Sequence, residues 1–96
     1  MSVQFEWDER KAKANRKKHK VSFEEASSVF GDPIAKIFYD EEHSAEENRE
    51  IIVGHSSSDR LLVVSFTERG QDVVRIISAR VATRNERKSY EESQRV

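Results

Sequence analysis

The fold of this chain is decided by residues 61–80, which read LLVVSFTERGQDVVRIISAR. Two apolar runs, 61–68 and 73–80, are rich in the β-branched residues that are typical of strands. Gly70 and Asp72 lie between the runs and are residue types that favour a tight turn. The stretch therefore predicts a buried antiparallel β-hairpin, around which the rest of a sheet can form.

Three arginines accompany this hairpin, Arg69 in its turn and Arg75 and Arg80 in its second strand. An unpaired buried charge is costly, so these side chains indicate an anion held against the sheet. We expect Arg69 and Arg80 at opposite ends, about 25 Å apart at ~3.3 Å per residue, too far to share one phosphate. We expect Arg75 and Arg80 on opposite faces unless a bulge intervenes. One of the three is expected to pair with an acid such as Glu50 or Glu68.

The remaining segments supply further strands and three helices. Alternation predicts a first strand at residues 3–7, and Asp8 and Ser22 are expected to cap two helices, the second through a capping box with Glu25. Strands are expected at 34–39 and 49–55, and Thr83 with Glu86 predicts a capped last helix. The order is β-α-α-β-β-β-β-α. It predicts one α+β domain, residues 1–96, with an antiparallel meander and helices packed on one side.

Composition excludes several classes of protein. Of the 96 residues, 35% are hydrophobic and 36% charged, so the core must be small. No apolar run approaches the roughly 20 residues that span a bilayer, and no signal peptide is visible, which predicts a cytoplasmic protein without a membrane partner. Cysteine is absent, and His19, His43 and His55 show no ligand spacing. We therefore expect no metal and no cofactor.

Charge is separated along the chain although the net charge is only −1. Residues 10–20 contain lysine and arginine but no acid, whereas residues 40–50 are mostly acidic. A basic face can bind a polyanion in a protein that is neutral overall. A solvated helix face is the commoner explanation for a charge run alone.

A few residues are candidates for proton transfer or phosphate binding. Glu68 could act as a general base, or it could be an ion-pair partner at a strand end. His19 could act as a general acid or base, or as a cation at a helix C-terminus. Arg84 adds charge beside Arg80, as expected for phosphate contact. Phe5 and Trp7 could stack on a base, but their alternation with polar residues favours a place in the core.

At these residues the chain resembles the BrnT family of toxins from type II toxin–antitoxin systems. The resemblance spans nearly the whole chain in order: Phe5-Glu6-Trp7-Asp8, Asn15, Lys18-His19, Val21-Ser22-Phe23-Glu24-Glu25-Ala26, Val29-Phe30-Gly31-Asp32-Pro33, Thr67-Glu68-Arg69-Gly70, Ile76-Ile77-Ser78-Ala79-Arg80, Ala82-Thr83-Arg84, Glu86-Arg87 and Tyr90-Glu91. Lys20 departs from the pattern, because the family commonly has glycine at this position.

The resemblance implies a RelE-like fold and a metal-independent ribonuclease that arrests translation. It implies a BrnA-type antitoxin with a ribbon-helix-helix domain, joined to the toxin in a hetero-oligomer that binds DNA only through the antitoxin and represses its own operon. Cleavage would use the RNA 2′-hydroxyl as nucleophile, so the protein supplies proton transfer and cations. The expected catalytic residues are Arg80, Arg69, Glu68 and His19, and the expected RNA-binding residues are Lys17, Lys18, Arg75 and Arg84.

Two other classes of function stay open at this point. A basic-faced module could hold RNA or a protein without cutting, and such a module would need arginine and lysine but neither Glu68 nor His19. An inactive relic could retain only the antitoxin interface.

Overall fold

The computed structural model describes residues 3–43 and 47–94. The strands are β1 (Gln4–Glu6), β2 (Lys36–Tyr39), β3 (Glu50–His55), β4 (Leu61–Glu68) and β5 (Val73–Val81). The α-helices are α1 (Glu9–His19), α2 (Phe23–Ser28) and α3 (Arg84–Ser93), with 3₁₀ turns at Val29–Gly31 and Glu41–His43. The predicted order of helices and strands is confirmed. Part of the acidic stretch at residues 40–50, namely residues 44–46, lies outside the described residues.

The sheet has five strands in the order β1-β5-β4-β3-β2. Strands β2 to β5 form the predicted antiparallel meander. The first strand instead pairs in parallel with β5, with Phe5 opposite Val74. The central hairpin lies in the middle of this sheet, so residues 61–80 do organise the fold.

The main core lies between one face of the sheet and the α1–α2 layer. Its fully buried members include Phe23 and Val29 from the helical layer and Leu62, Phe66 and Ile76 from the sheet. Phe5 and Trp7 pack on its edge, where the ring centroids are 5.2 Å from Phe30 and 5.9 Å from Phe23 respectively. These two aromatic residues therefore belong to the core rather than to a stacking surface.

Helix α3 packs on the opposite face of the sheet, so the expectation that all helices lie on one side is wrong. Tyr90 of α3 is buried and its ring contacts His55, with centroids 5.7 Å apart. Val53 and Phe38 line an apolar cleft with Tyr90. The burial of Leu61 and Val63 on this second face explains why β4 reads as a continuous apolar run.

Helix ends follow the predicted caps with one exception. The Asp8 carboxylate accepts from the backbone N–H groups of Arg10 and Lys11, at 2.8 and 3.2 Å. Ser22 accepts from the N–H of Glu25 at 3.0 Å. The Glu25 carboxylate does not complete the expected capping box. It instead binds the Arg60 guanidinium, whose hydrogen bond lowers the pKa of Glu25.

Candidate functional site

A β-bulge places the two arginines of β5 on the same face of the sheet. Ser65 pairs with Ser78, but the next residue, Phe66, pairs with Ile76, so Ile77 is an extra residue in β5. Ile76 and Ala79 are both buried on the α1–α2 side as a result. Arg75 and Arg80 therefore lie together on the opposite face. They were expected on different faces unless a bulge intervened, and the bulge is present.

Arg80 is held by a carboxylate from α3. Its two terminal nitrogens donate to the two oxygens of Glu86, at 2.6 and 2.8 Å. The same Glu86 accepts from the N–H of Thr83 at 2.8 Å, while the Thr83 hydroxyl accepts from the N–H of Glu86 at 3.1 Å. The predicted capping box of α3 is thus present, and it also orients the guanidinium.

The ion pair fixes the charge of both partners. The hydrogen bonds from Arg80, with a smaller contribution from the backbone of Thr83, lower the pKa of Glu86 to about 2. The Glu86 carboxylate raises the pKa of Arg80 further above its already high range. A bidentate pair uses two of the five N–H donors of an arginine, and the remaining donors can bind a phosphate.

Arg75 has a different acidic partner from those expected. Its guanidinium donates to Glu6 of β1 at 2.9 Å, and the parallel pairing of β1 places Glu6 directly opposite Arg75. The expectation that one of the three arginines pairs with an acid is confirmed, but the acids are Glu6 for Arg75 and Glu86 for Arg80 rather than Glu50 or Glu68. Sequence reasoning had no pairing partner for β1, so Glu6 could not be placed.

Asn15 fixes α1 against the outer edge of β5. Its side-chain amide donates to the carbonyl of Ala79 at 2.8 Å, and its side-chain oxygen accepts from the N–H of Ala79 at 3.1 Å. The amide also donates to the carbonyl of Val21 at 3.0 Å. The buried side chain of Asn15 therefore makes the hydrogen bonds to β5 that a neighbouring strand would make, beyond the point where β1 ends.

This contact positions the basic end of α1 beside the end of β5 that carries Arg80. The carbonyl of Lys20, at the end of α1, accepts from the Arg60 guanidinium at 3.0 Å. The next residue, Leu61, accepts through its carbonyl from the N–H of Ala82, which follows β5. His19 lies one helical turn beyond Asn15 and is half-buried. Exposed neighbours at the same end of the molecule are Lys17, Lys18 and, at the start of α3, Arg84.

Glu68 and Arg69 lie at the other end of the hairpin. Arg80 pairs with Val63, and Arg69 follows six residues later along β4, about 20 Å away at ~3.3 Å per residue. The side chains of Glu68 and Arg69 are exposed. The expected separation of Arg69 and Arg80 is therefore confirmed, and of the two candidate proton carriers only His19 lies at the Arg80 end.

Between these ends, β4 and β5 form a polar strip on the face of the sheet on which α3 packs. We call the part of this face that carries Arg75 and Arg80 the open face. Ser65 lies opposite Ser78, and Thr67 lies opposite Arg75. The Thr67 hydroxyl already donates to the carbonyl of Asn48 at 2.7 Å. The strip runs from Arg80 to the hairpin turn, and a polymer lying along it could reach both Arg80 and Arg69.

Metal binding has no obvious location in the part of the chain that the structure describes. Within residues 3–43 and 47–94, no group of three or more histidine, aspartate or glutamate side chains is arranged to hold an ion. No helix in these residues is long and apolar enough to cross a membrane. His43 hydrogen-bonds Asp40, and His55 packs on Tyr90 with its Nδ1 3.7 Å from a carboxylate oxygen of Asp32.

The residues that sequence reasoning missed are supporting ones. The sequence indicates Glu86 only as a helix cap and Asn15 only as part of the family resemblance. The sequence does contain a signal for the role of Glu86. Arg80 lies near the end of a strand and is followed at once by a capping box, whose carboxylate, Glu86, can reach back to the arginine. No local pattern could have revealed that Asn15 binds a residue 64 positions away.

The sheet carries two arginines on the face on which α3 packs and has a basic helix at its edge, an arrangement that could bind a polyanion. The family model described as "Ribonuclease toxin, BrnT, of type II toxin-antitoxin system" matches residues 7–86. The chain therefore belongs to the BrnT family of ribonuclease toxins, which act against RNA and are paired with an antitoxin.

A solved structure supports the same assignment. The 1.1 Å crystal structure of the ribonuclease toxin BrnT from Brucella abortus superposes with a TM-score of 0.68. The two sequences are 25% identical, and the alignment covers 86% of this chain and all of that one. Among curated proteins no sequence match was found. The α+β fold is thus that of a known BrnT toxin.

Proposed function

We propose that this toxin cleaves RNA without a metal ion, with the scissile phosphate bound at Arg80, and that it inhibits translation in the cytoplasm. The observation that supports this most is the bidentate Arg80–Glu86 pair on the open face of the sheet. A guanidinium held by its own carboxylate is pre-organised, so it stabilises a developing negative charge with little reorganisation.

The reaction needs no protein nucleophile. The RNA 2′-oxygen forms a new bond to phosphorus while the bond from phosphorus to the 5′-oxygen breaks, leaving a 2′,3′-cyclic phosphate and a 5′-hydroxyl. A proton must leave the 2′-oxygen and another must reach the 5′-oxygen. We assign proton transfer to His19, because α1 brings it to the Arg80 end of the sheet, whereas Glu68 lies five residues farther along β4, about 16 Å away at ~3.3 Å per residue.

The other cations extend the RNA-binding surface in two directions. Lys17, Lys18 and Arg84 are exposed near the Arg80 end and would contact phosphates on one side of the scissile bond. Arg75 and Arg69 follow along the open face toward the hairpin turn and would contact phosphates on the other side. Phosphate contacts of this kind set affinity and its salt dependence rather than the rate of the chemical step.

The test is RNA cleavage by the purified protein in EDTA. We expect persistent cleavage with cyclic-phosphate ends, a loss of at least about 100-fold in kcat for Arg80→Ala, and a comparable loss for His19→Gln. His43→Gln is the matched control for His19, because it removes an exposed imidazole elsewhere. Arg69→Ala is expected to weaken binding and leave kcat within a few fold.

Two outcomes would contradict the proposal. Intact RNA in EDTA, bound tightly and released by salt, would identify a non-catalytic binding module. Full growth inhibition by a stably expressed Arg80→Ala variant would remove Arg80 from the mechanism.

We further propose that a BrnA-type antitoxin with a ribbon-helix-helix domain neutralises the toxin by covering α1, and that the complex binds DNA only through the antitoxin to repress its own operon. The support is the uninterrupted basic character of residues 10–20, which acidic antitoxin side chains would match. Hydrogen exchange in residues 10–20 is expected to slow on complex formation. Unchanged exchange there would place the antitoxin elsewhere.

A further inference from the structure

The outer edge of β2 is an unusual surface for a protein of this size. All four of its residues are exposed. Ile37, Phe38 and Tyr39 are 54–55% exposed, and nearby Ile34 is 52% exposed. Apolar side chains therefore project from both faces of the last strand of the sheet. An exposed apolar edge strand is a template for pairing with another strand, which natural proteins usually block.

The opposite side of the sheet is blocked in the expected ways. Strand β1 has only three residues, and Gln4 and Glu6 make it polar. Where β1 ends, the Asn15 side chain occupies the free N–H and C=O of Ala79. Among the strands that the structure describes, β2 is the edge strand with three consecutive uncharged and exposed residues, Ile37, Phe38 and Tyr39.

The hydrogen-bonding pattern shows which backbone groups of β2 point outward. The N–H of Asp40 donates to the carbonyl of Arg49 at 2.9 Å, which makes 40 and 49 a hydrogen-bonded pair. Such pairs alternate along an antiparallel ladder. Phe38 therefore bonds inward to Ile51, while the N–H and C=O groups of Ile37 and Tyr39 face away from the sheet.

We propose that β2 pairs with β2 of a second copy of this chain, antiparallel and centred on Phe38, to form a symmetric toxin dimer. In this register Ile37 of each copy forms the hydrogen-bonded pair with Tyr39 of the other, which uses all the outward N–H and C=O groups of these two residues. A two-fold axis then passes between the two Phe38 residues.

The side chains are self-complementary in the same register. Phe38 meets Phe38 of the second copy on the α3 face, and Ile37 meets Tyr39 on the other face, so apolar pairs form on both. Lys36 lies opposite Asp40 of the second copy, and their charges are opposite. A shift of two residues in pairing would place Lys36 opposite Phe38 instead. A self-complementary patch of this kind favours a second copy over a different partner.

The dimer would leave the candidate ribonuclease site open. Arg80 lies on β5, and strands β4 and β3 separate it from β2. The proposal is therefore independent of the assignment of Arg80 and His19, and its test requires no measurement of activity.

The test uses the absence of natural cysteine. A non-hydrogen-bonded antiparallel pair has its Cα atoms about 4.5 Å apart, within the range that a disulfide bridges. The full-length Phe38→Cys variant is therefore expected to form a disulfide dimer under mild oxidation at least ~10-fold faster than Ile37→Cys. The two side chains are equally exposed, at 54% and 55%, but in the proposed register only residue 38 meets itself.

Sedimentation equilibrium of the unmodified chain supplies a second readout. We expect a reversible dimer that Phe38→Lys abolishes and that Val81→Lys, at another exposed apolar residue, preserves. Equal cross-linking of the two cysteine variants would overturn the register. A monomer at all concentrations would overturn the dimer, and protection of the edge by the antitoxin without any dimer would assign the edge to the antitoxin instead.

Discussion

Asn15 gives the sharpest test of how the basic helix is held in place. Replacing it with alanine removes the amide that binds Ala79 and Val21. Three backbone groups then lose their partner, one N–H and two carbonyls, at a position where Asn15 is only 7% exposed. An alanine side chain is too short to reach any of them.

The expected cost follows from the number of orphaned groups. Each buried backbone group left without a partner costs about 1–3 kcal/mol, and water admitted by the shortened side chain recovers part of that cost. We therefore expect Asn15→Ala to lower the free energy of unfolding by about 3 kcal/mol. For a chain of this length, that corresponds to a fall in Tm of about 15 °C.

The assay is urea unfolding followed by circular dichroism, with Asn85→Ala as the matched control, because Asn85 is an exposed asparagine on α3. The control is expected to change stability by less than about 0.5 kcal/mol. Loss of the anchor should also slow RNA cleavage at temperatures where the variant stays folded, since His19 depends on the position of α1. A stability change for Asn15→Ala no larger than that of the control would refute the reasoning.

Three further changes test other parts of the structure. Lys20 ends α1 with a left-handed φ of 59°, so Lys20→Gly is expected to stabilise the protein by about 0.5–1 kcal/mol in urea unfolding, whereas Lys18→Gly, inside the helix, should cost about 1 kcal/mol. Gly54→Ala would place a Cβ 2.8 Å from the Cβ of Ala35 and is expected to cost about 1–3 kcal/mol, while Gly31→Ala, with no atom within 4 Å, should be nearly neutral in the same assay. Glu86 has a folded pKa of about 2 against 4.5 unfolded, so its contribution is complete above pH 4.5 and is lost as the pH falls toward 2. This pair is more than one-third exposed, which weakens its effect. We therefore expect the free energy of unfolding to fall between pH 6 and pH 3 by only about 1 kcal/mol more in the native protein than in Glu86→Gln. Equal falls in the two proteins would contradict the assignment.

Much of the fold could be predicted because its signals are local. The capped helices, the turn at Gly70 and the apolar strands each depend on residues within a few positions of one another. The side of the sheet on which α3 packs could not be predicted in this way. That choice depends on Tyr90 meeting His55, and on alternate residues of β4 that are apolar on both faces. A continuous apolar run indicates that both faces are covered, but it does not say by which helix.

The candidate site was less predictable because its geometry depends on one residue of register. Without the bulge at Ile77, Arg75 and Arg80 would lie on opposite faces, and a single RNA strand could not meet both. The sequence around residue 77 carries no glycine or proline to mark the bulge. Its cause is instead the requirement that Ile76 and Ala79 both be buried against the α1–α2 layer, although they are three residues apart. Burial on one face thus fixes the position of the arginines on the other. We infer that the packing of the core is what places Arg75 and Arg80 on the same face of the sheet.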